Sequence, residues 1–266
     1  MPSKVAEQWE EALASGEAYR HEIRNRFQYL WFRLRPCSRK LKRIIELGGI
    51  KPGIKVLDFG AGGGHDSVSL AHLGCEVDAL DCSDVVMRNL IAYKESVERY
   101  SGRSLNINTI HGDILDADLA PDRYDVIFSC GVMEHFLDER ERREVYRILA
   151  QALKKGGRVV TFVPNGNHPL RARQRAERLG GYNIEEVDYT VGLFEKDIEG
   201  TELVLEKAEG FDLFGYIFIL PGISKRRWLR LVIKPVYLSL RLIENWFPFV
   251  FMRGNAYWLF FAARKR

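Results

Sequence analysis

One stretch, Val56-Leu57-Asp58-Phe59-Gly60-Ala61-Gly62-Gly63-Gly64-His65-Asp66, restricts what this chain can fold into more than any other. An apolar run closes on an acid and passes straight into a glycine-rich turn. Glycine permits positive φ and lets a ligand touch the backbone with no Cβ in the way. A helix that follows such a turn points its first N–H groups back at it. A strand, glycine turn and helix in this order can hold a nucleotide-derived ligand across the turn. A P-loop fits worse, because no Gly-Lys-Ser/Thr follows. A dinucleotide site wants a glycine at the sixth place, and Gly60-Ala61-Gly62-Gly63-Gly64-His65 has histidine there, which weakens a nicotinamide reading without closing it.

The surroundings extend this unit. Residues 4–47 have helical periodicity, with stripes Val5, Trp9, Ala12, Leu13 and Ile23, Phe27, Leu30, Leu34, broken at Pro36. From Lys55 short apolar runs alternate with amphipathic ones. Strands are expected at Lys55–Phe59, Glu76–Leu80, Asn106–His111, Tyr124–Ser129 and Arg158–Val163. Helices are expected at Asp66–Leu73, Asp84–Tyr100 and Asp138–Lys154, the last closed by Gly156 and Gly157. Such alternation implies an α/β fold with a mostly parallel sheet and helices on both faces. Further on, a basic helix at Leu170–Leu179, a helix at Asp197–Lys207, strands at Phe211–Ile219 and Ala256–Ala263, and a helix over Val236–Trp246 complete the expectation.

Taken together, the motifs resemble the class I S-adenosylmethionine (SAM) dependent methyltransferases, in the small-molecule "type 11" subgroup. The family signature E/D-x-G-x-G-x-G is met by Asp58-Phe59-Gly60-Ala61-Gly62-Gly63-Gly64. Val77-Asp78-Ala79-Leu80-Asp81-Cys82-Ser83 is similar to its second strand, His111-Gly112-Asp113-Ile114 to the loop after its third, and Tyr124–Cys130 with Val132-Met133-Glu134-His135-Phe136 to its fourth strand and "xxEH" segment. Leu153-Lys154-Lys155-Gly156-Gly157 resembles its "LKPGG" turn, with Lys155 where proline is usual. The likeness is close over about residues 50–165.

The resemblance implies a Rossmann-like, doubly wound sheet of seven mostly parallel strands, with N-terminal helices and a basic helical insertion before the last strand. It implies SAM as cofactor and transfer of its methyl to an O, N or C nucleophile. Asp58, Gly60, Ala61, Gly62, Gly64 and Cys130 would line the turn and the methionine end. Asp81 would accept from the ribose hydroxyls and Asp113 from the adenine amino group, with Cys82 and Ile114 against the adenine. His135 is the candidate general base, since histidine titrates near neutrality; the alternative is that Glu134-His135 holds the loop. No third ligand accompanies that pair, so no metal is expected. The domain reading is a helical lid at 1–47 and a methyltransferase domain at 48–266, with acceptor-side insertions at 166–195 and 221–253. A SAM-fold protein without turnover, acting as a membrane or partner-binding module, stays open, as does a nicotinamide-dependent oxidoreductase.

Composition bears on partners and setting. No apolar run reaches the ~18–20 residues of a membrane span, and the N-terminal stretch lacks a signal-peptide core. The four cysteines have neither metal-ligand nor disulfide-framework spacing, which suits a cytoplasmic setting. The net charge of +4 is uneven: residues 225–266 hold ten basic residues and one acid, while the rest of the chain carries a net of −5. Mixed with Trp, Phe and Leu, as in Phe247–Met252, these cations suggest contact with an anionic membrane surface and a lipid-like or small-molecule acceptor. A core-packed or merely solvated tail is the alternative. No recognition motif for nucleic acid accompanies the charge.

Overall fold

In the computed structural model, residues 4–13, 20–177, 184–220, 222–223, 226–244 and 253–266 are described. The expected aromatic cluster at 247–252 lies outside them. Seven strands form one sheet: β1 (Lys55–Phe59), β2 (Glu76–Asp81), β3 (Ile107–His111), β4 (Tyr124–Cys130), β5 (Leu153–Pro164), β6 (Leu203–Phe211) and β7 (Trp258–Lys265), in the order β3-β2-β1-β4-β5-β7-β6. The first five run parallel, and β7 is antiparallel to both β5 and β6.

Period-two alternation divides the core between the two faces of the sheet. Val56, Val77, Val126, Val160 and Phe260 pack on one side. They meet α3 (Arg39–Gly48), α4 (His65–His72) and α5 (Asp84–Ser101). Leu57, Leu80, Ile127, Val159 and Phe261 pack on the other. That side is covered by α6 (Glu139–Ala152) and α8 (Val191–Ile198). Strands buried on both faces read as continuous apolar runs, which is why β1 and β4 were visible in the sequence.

Before the sheet come α1 (Lys4–Leu13) and α2 (Arg26–Leu34). Asn25 caps α2 and Ser38 caps α3 through their side chains. Leu41 and Ile44 of α3 are fully buried in the main core, so this helix is part of the body of the domain although it precedes residue 48. At the end of the sheet away from the glycine turn, buried Asp78 accepts from Lys55 Nζ (2.7 Å), Tyr124 OH (2.8 Å) and Arg123 Nε (3.0 Å). These bonds tie β1, β2 and the start of β4 together.

The later elements depart from expectation for physical reasons. The α6 helix stops at Ala152, and β5 begins at once. Lys154–Gly157 bulge out between the register pairs Tyr124↔Leu153 and Val126↔Arg158. Gly156 has φ +77°, and a Cβ on Gly157 would lie 2.9 Å from Asp125 O, so the glycines serve the bulge and not a helix end. The helix expected at Asp197–Lys207 is the end of α8 followed by β6. This is an edge strand with a register shift between Leu205 and Lys207. Its charged outer positions, among them Glu206 paired with Arg158 and Arg264, hide the strand alternation. The strand expected at Phe211–Ile219 has already ended at Phe211, and Gly215–Ile219 form a 3-10 turn. The basic helix is shorter, α7 (Arg171–Ala176). The C-terminal one starts earlier than expected, as α9 (Arg227–Glu244).

Candidate cofactor and acceptor site

The strand order reverses between β1 and β4, and ligands of open α/β sheets bind at such a switch point. Here the loops after β1, β3 and β4 are each stitched to a neighbouring strand. Gly60 N and Ala61 N both donate to Leu80 O (2.8 and 3.0 Å), Gly112 N to Asp81 O (3.0 Å) and Gly131 N to Phe162 O (2.8 Å). At Gly60 φ is +74°, and a Cβ would lie 2.3 Å from Val132 Cγ2. Only glycine permits the β1 and β4 loops to approach this closely.

A cavity of about 430 Å³ opens between these loops. Asp81 stands at its rim with both carboxylate oxygens oriented: Oδ2 accepts from Gly62 N (2.9 Å) and Oδ1 from Ser83 N (3.0 Å). Each oxygen retains a lone pair for a ligand hydroxyl. Asp113 likewise lines the cavity, and its Oδ1 accepts from Leu115 N (3.1 Å). Ile114 is buried beside it, and Cys82 completes this apolar end. Burial pushes the thiols of Cys82 and Cys130 up to about 12, so both line the wall as neutral groups.

The other end of the cavity is ionic. Asp58, buried at the end of β1, accepts from Ser67 Oγ (2.6 Å). Burial, with the Asp66 charge close by, pushes its carboxyl up to about 7. Lys40 reaches in from α3 and pairs with Asp66 (2.6 Å). Burial works against the Lys40 charge, but Asp66, by charge and hydrogen bond, and Asp58 hold the amine well above its ordinary range. Burial likewise opposes the charge on Asp66, and Lys40 outweighs it, holding the carboxyl down at about 2. His21 also lines the cavity. Burial and the neighbouring His65 lower its pKa, so the ring is neutral at pH 7.

Nine of the eleven residues expected at the site line this cavity: Asp58, Gly60, Ala61, Gly62, Asp81, Cys82, Asp113, Ile114 and Cys130. Gly64 and His135 do not. Gly64, at φ +75°, opens α4 against Leu90, whose Cγ would lie 2.5 Å from a Cβ. Its glycine serves helix packing. His135 is buried; its Nδ1 lies 3.3 Å from Glu185 O and its ring meets Trp9 edge-on at 5.0 Å. Glu134 beside it is also buried, and no described residue hydrogen-bonds its Oε2. Burial and the Glu186 charge push that carboxyl up to about 8.

Sequence reasoning missed Lys40, Asp66, His21 and Trp9, all in the wall. Lys40 had one available signal: it precedes Leu41 and Ile44 on an amphipathic helix, where a cation next to the buried stripe is well placed to reach inward.

Among the described residues no group of three or more His, Cys, Asp or Glu could hold a metal ion. No described helix is long and apolar enough to cross a membrane.

Residues 56–157 match the family model of a methyltransferase domain. A mitochondrial ubiquinone biosynthesis O-methyltransferase of Schizosaccharomyces pombe is 30% identical over 57% of this chain and 52% of its own length. Phosphoethanolamine N-methyltransferase 1 of Arabidopsis thaliana is 27% identical over 62% of this chain and 32% of its own. The chain thus spans about half the length, or less, of these curated relatives. Among solved structures, geranyl diphosphate C-methyltransferase of Streptomyces coelicolor superposes with a TM-score of 0.58 at 12% identity, covering 85% of this chain and 80% of that one.

Proposed function

We propose that the chain, whose residues 56–157 match a methyltransferase-domain model, is a class I SAM-dependent methyltransferase that transfers a methyl group from SAM to an O, N or C nucleophile of a small-molecule or lipid-like acceptor. One observation carries the reading: a single cavity joins a carboxylate held for a diol, Asp81, to a lysine and two acids, Lys40, Asp58 and Asp66, around a backbone turn that only glycine can form. These groups fit the donor end to end. Asp81 accepts from the ribose hydroxyls and Asp113 from the adenine amino group. Ile114 and Cys82 cover the adenine. Asp58 takes the methionine ammonium, and Lys40 its carboxylate. SAM supplies an electrophilic methyl on a positively charged sulfur. The chain aligns the acceptor with it, and alignment of two reactants can by itself be worth ~7–11 kcal/mol.

The acceptor side is assigned to residues 166–195 and 221–253, which follow β5 and β6, and within residues 1–47 the cover on the donor side is assigned to α1. Val5, Ala6 and Trp9 of α1 in the cavity wall support that cover. His135 serves to hold the site. Its neutral ring anchors Glu185 of the insertion and seats Trp9, and its absence from the cavity wall supports this over a proton-transfer role.

A lipid-like acceptor agrees with the ubiquinone enzyme among the relatives, and a small polar one with the phosphoethanolamine enzyme. The lipid-like reading also agrees with contact of residues 225–266 with an anionic membrane from the cytoplasmic side. On α9, Trp228, Leu231, Val232, Val236, Leu238 and Leu242 are exposed on one broad face. The single acid of α9, Glu244, is buried against Arg39. Calorimetric titration with SAM and its demethylated product, on the native chain and Asp81→Ala, tests the donor site. Transfer of labelled methyl to a panel of quinol, amino-alcohol and isoprenoid acceptors then tests the class. A folded chain that binds neither donor nor product rules the proposal out.

A further inference from the structure

We infer that α2 is a second membrane-docking element, which lays an apolar stripe into an anionic bilayer beside the donor cavity. The inference rests on the lipid-like acceptor reading above and extends it to a segment outside 225–266. Periodicity alone puts Phe27, Leu30 and Leu34 on one apolar stripe and does not say which way it faces. The structure turns that face outward: Phe27 is 82% exposed, Leu30 49%, Trp31 61% and Leu34 66%. Positions i, i+3, i+4 and i+7 make these four one continuous stripe. The opposite face holds the helix to the body, with Phe32 buried against His72 and Tyr93 and Tyr29 stacked on Tyr100. The outward stripe is therefore not a consequence of a loose helix. Four large apolar side chains side by side on a surface mark a contact site.

Charge identifies the occupant. Between Glu22 and Glu46 the sequence has eight Arg and Lys and no acid. On α2 and just after it, Arg26, Arg33 and Arg35 are exposed, and no described carboxylate pairs with them. Arg35 lies over the Trp31 ring at 5.3 Å, which sets a cation at the edge of the stripe as interfacial helices do. The same combination recurs on α9. The ion pair of Arg39 with Glu244 (2.6 Å) joins the first residue of α3, five residues beyond α2, to the last residue of α9. Aliphatic Leu30, Leu34, Leu231 and Leu242 favour acyl chains over nucleobases, which stack on aromatic planes. The position matters for function: His21 and Ser38, on either side of α2, both line the donor cavity. A bilayer held by α2 would therefore present its lipid-soluble contents next to the donor.

Flotation tests this with vesicles of phosphatidylcholine containing phosphatidylglycerol, and with phosphatidylcholine alone, at low salt. The samples are the native chain, Phe27→Ser/Trp31→Ser, and Leu231→Ser/Leu242→Ser, each checked for SAM binding. The native chain is expected to float with the anionic vesicles and the α2 variant to lose ~10-fold in bound fraction, with SAM affinity unchanged. An α2 variant that floats like the native chain overturns the inference. If the α9 variant is impaired at the same time, the membrane reading of 225–266 stands without it. A native chain that binds SAM but floats with neither vesicle overturns both membrane readings and leaves methyl transfer standing. Loss of SAM binding by the folded native chain, with flotation intact, does the reverse. If the double α2 variant does not fold, Trp31→Phe serves instead. Quenching of tryptophan emission by brominated lipid must then fall relative to the native chain, and unchanged quenching overturns the inference. Substitutions that alter only self-association or single-stranded RNA binding also overturn it.

Discussion

The Gly62 N–H donates to Asp81 Oδ2 at 2.9 Å, so the last residue of β2, which would hold the ribose, also braces the glycine turn after β1. Removing this carboxylate costs twice, once in ligand contacts and once in the shape of the turn. Hydrogen bonds to a charged group are worth ~1.5–3 kcal/mol each. Asp81→Ala is expected to weaken SAM binding ~100-fold or more, and Asp81→Asn by less, because its one remaining oxygen can accept from Gly62. Calorimetric titration checks the order. Equal affinities in the two variants would show that the turn holds itself.

Lys40 and Asp58 predict a pH dependence. Asp58 titrates at about 7, raised by burial and then by Asp66, and only its charged form attracts the methionine ammonium. SAM affinity should rise as pH increases from about 6 to 8, by at most ~10-fold per unit below the midpoint. Lys40 is among the charges that lower Asp58. In Lys40→Met the midpoint should therefore move upward, with ~10-fold weaker binding at neutral pH. Binding measured across this range decides the matter; a flat profile in the native chain would remove Asp58 from the donor site.

How far the site was legible follows from where its residues lie in the chain. Asp58, the glycines, Asp81 and Asp113 fall at the ends of consecutive parallel strands, where sequence position and spatial position coincide. The strand order then brings them together without help from long-range contacts. Trp9 and Lys40 arrive from helices before the first strand and His21 from the stretch just ahead of α2, and nothing local in the sequence says which side of the sheet those segments cover. For α2 the periodicity marked a stripe without its facing. Apolar residues on both sides, Tyr29 and Phe32 against Phe27, Leu30, Trp31 and Leu34, leave period alone unable to choose. The β6 strand was misread because an edge position tolerates Glu206 and Lys207 where a central strand would not.

Gly60 offers a steric test. Gly60→Ala is strained on two counts, φ +74° and a Cβ 2.3 Å from Val132 Cγ2. The positive φ alone costs ~1 kcal/mol or more for a residue with a Cβ, and the contact must displace the loop after β4. A loss of ~2 kcal/mol or more in stability is expected, measured by denaturant unfolding. Val132→Ala in the same chain should recover the steric part and not the dihedral part. Full recovery would mean that the backbone strain is relieved by another route.

Glu134 and His135 separate holding from chemistry. Burial, then the Glu186 charge, raises the Glu134 carboxyl from its ordinary value to about 8. The folded state therefore favours the protonated acid, and the stability this contributes is lost as pH rises through 8. Glu134→Gln keeps the shape without the charge. Its stability relative to the native chain should climb between about pH 4.5 and 8 and level off above, in thermal melts at a series of pH values. Burial lowers the pKa of His135, and the slope this adds is common to the native chain and Glu134→Gln and cancels in their difference. For His135→Ala a lower melting temperature and a raised KM for the acceptor are expected, from the loss of the Glu185 and Trp9 contacts. A general base would behave differently: kcat would fall ~10²–10⁴-fold and the acid limb of its pH profile would disappear. That outcome would move His135 from positioning the insertion to taking the acceptor's proton, and would require the 184–190 segment to open onto the cavity during turnover.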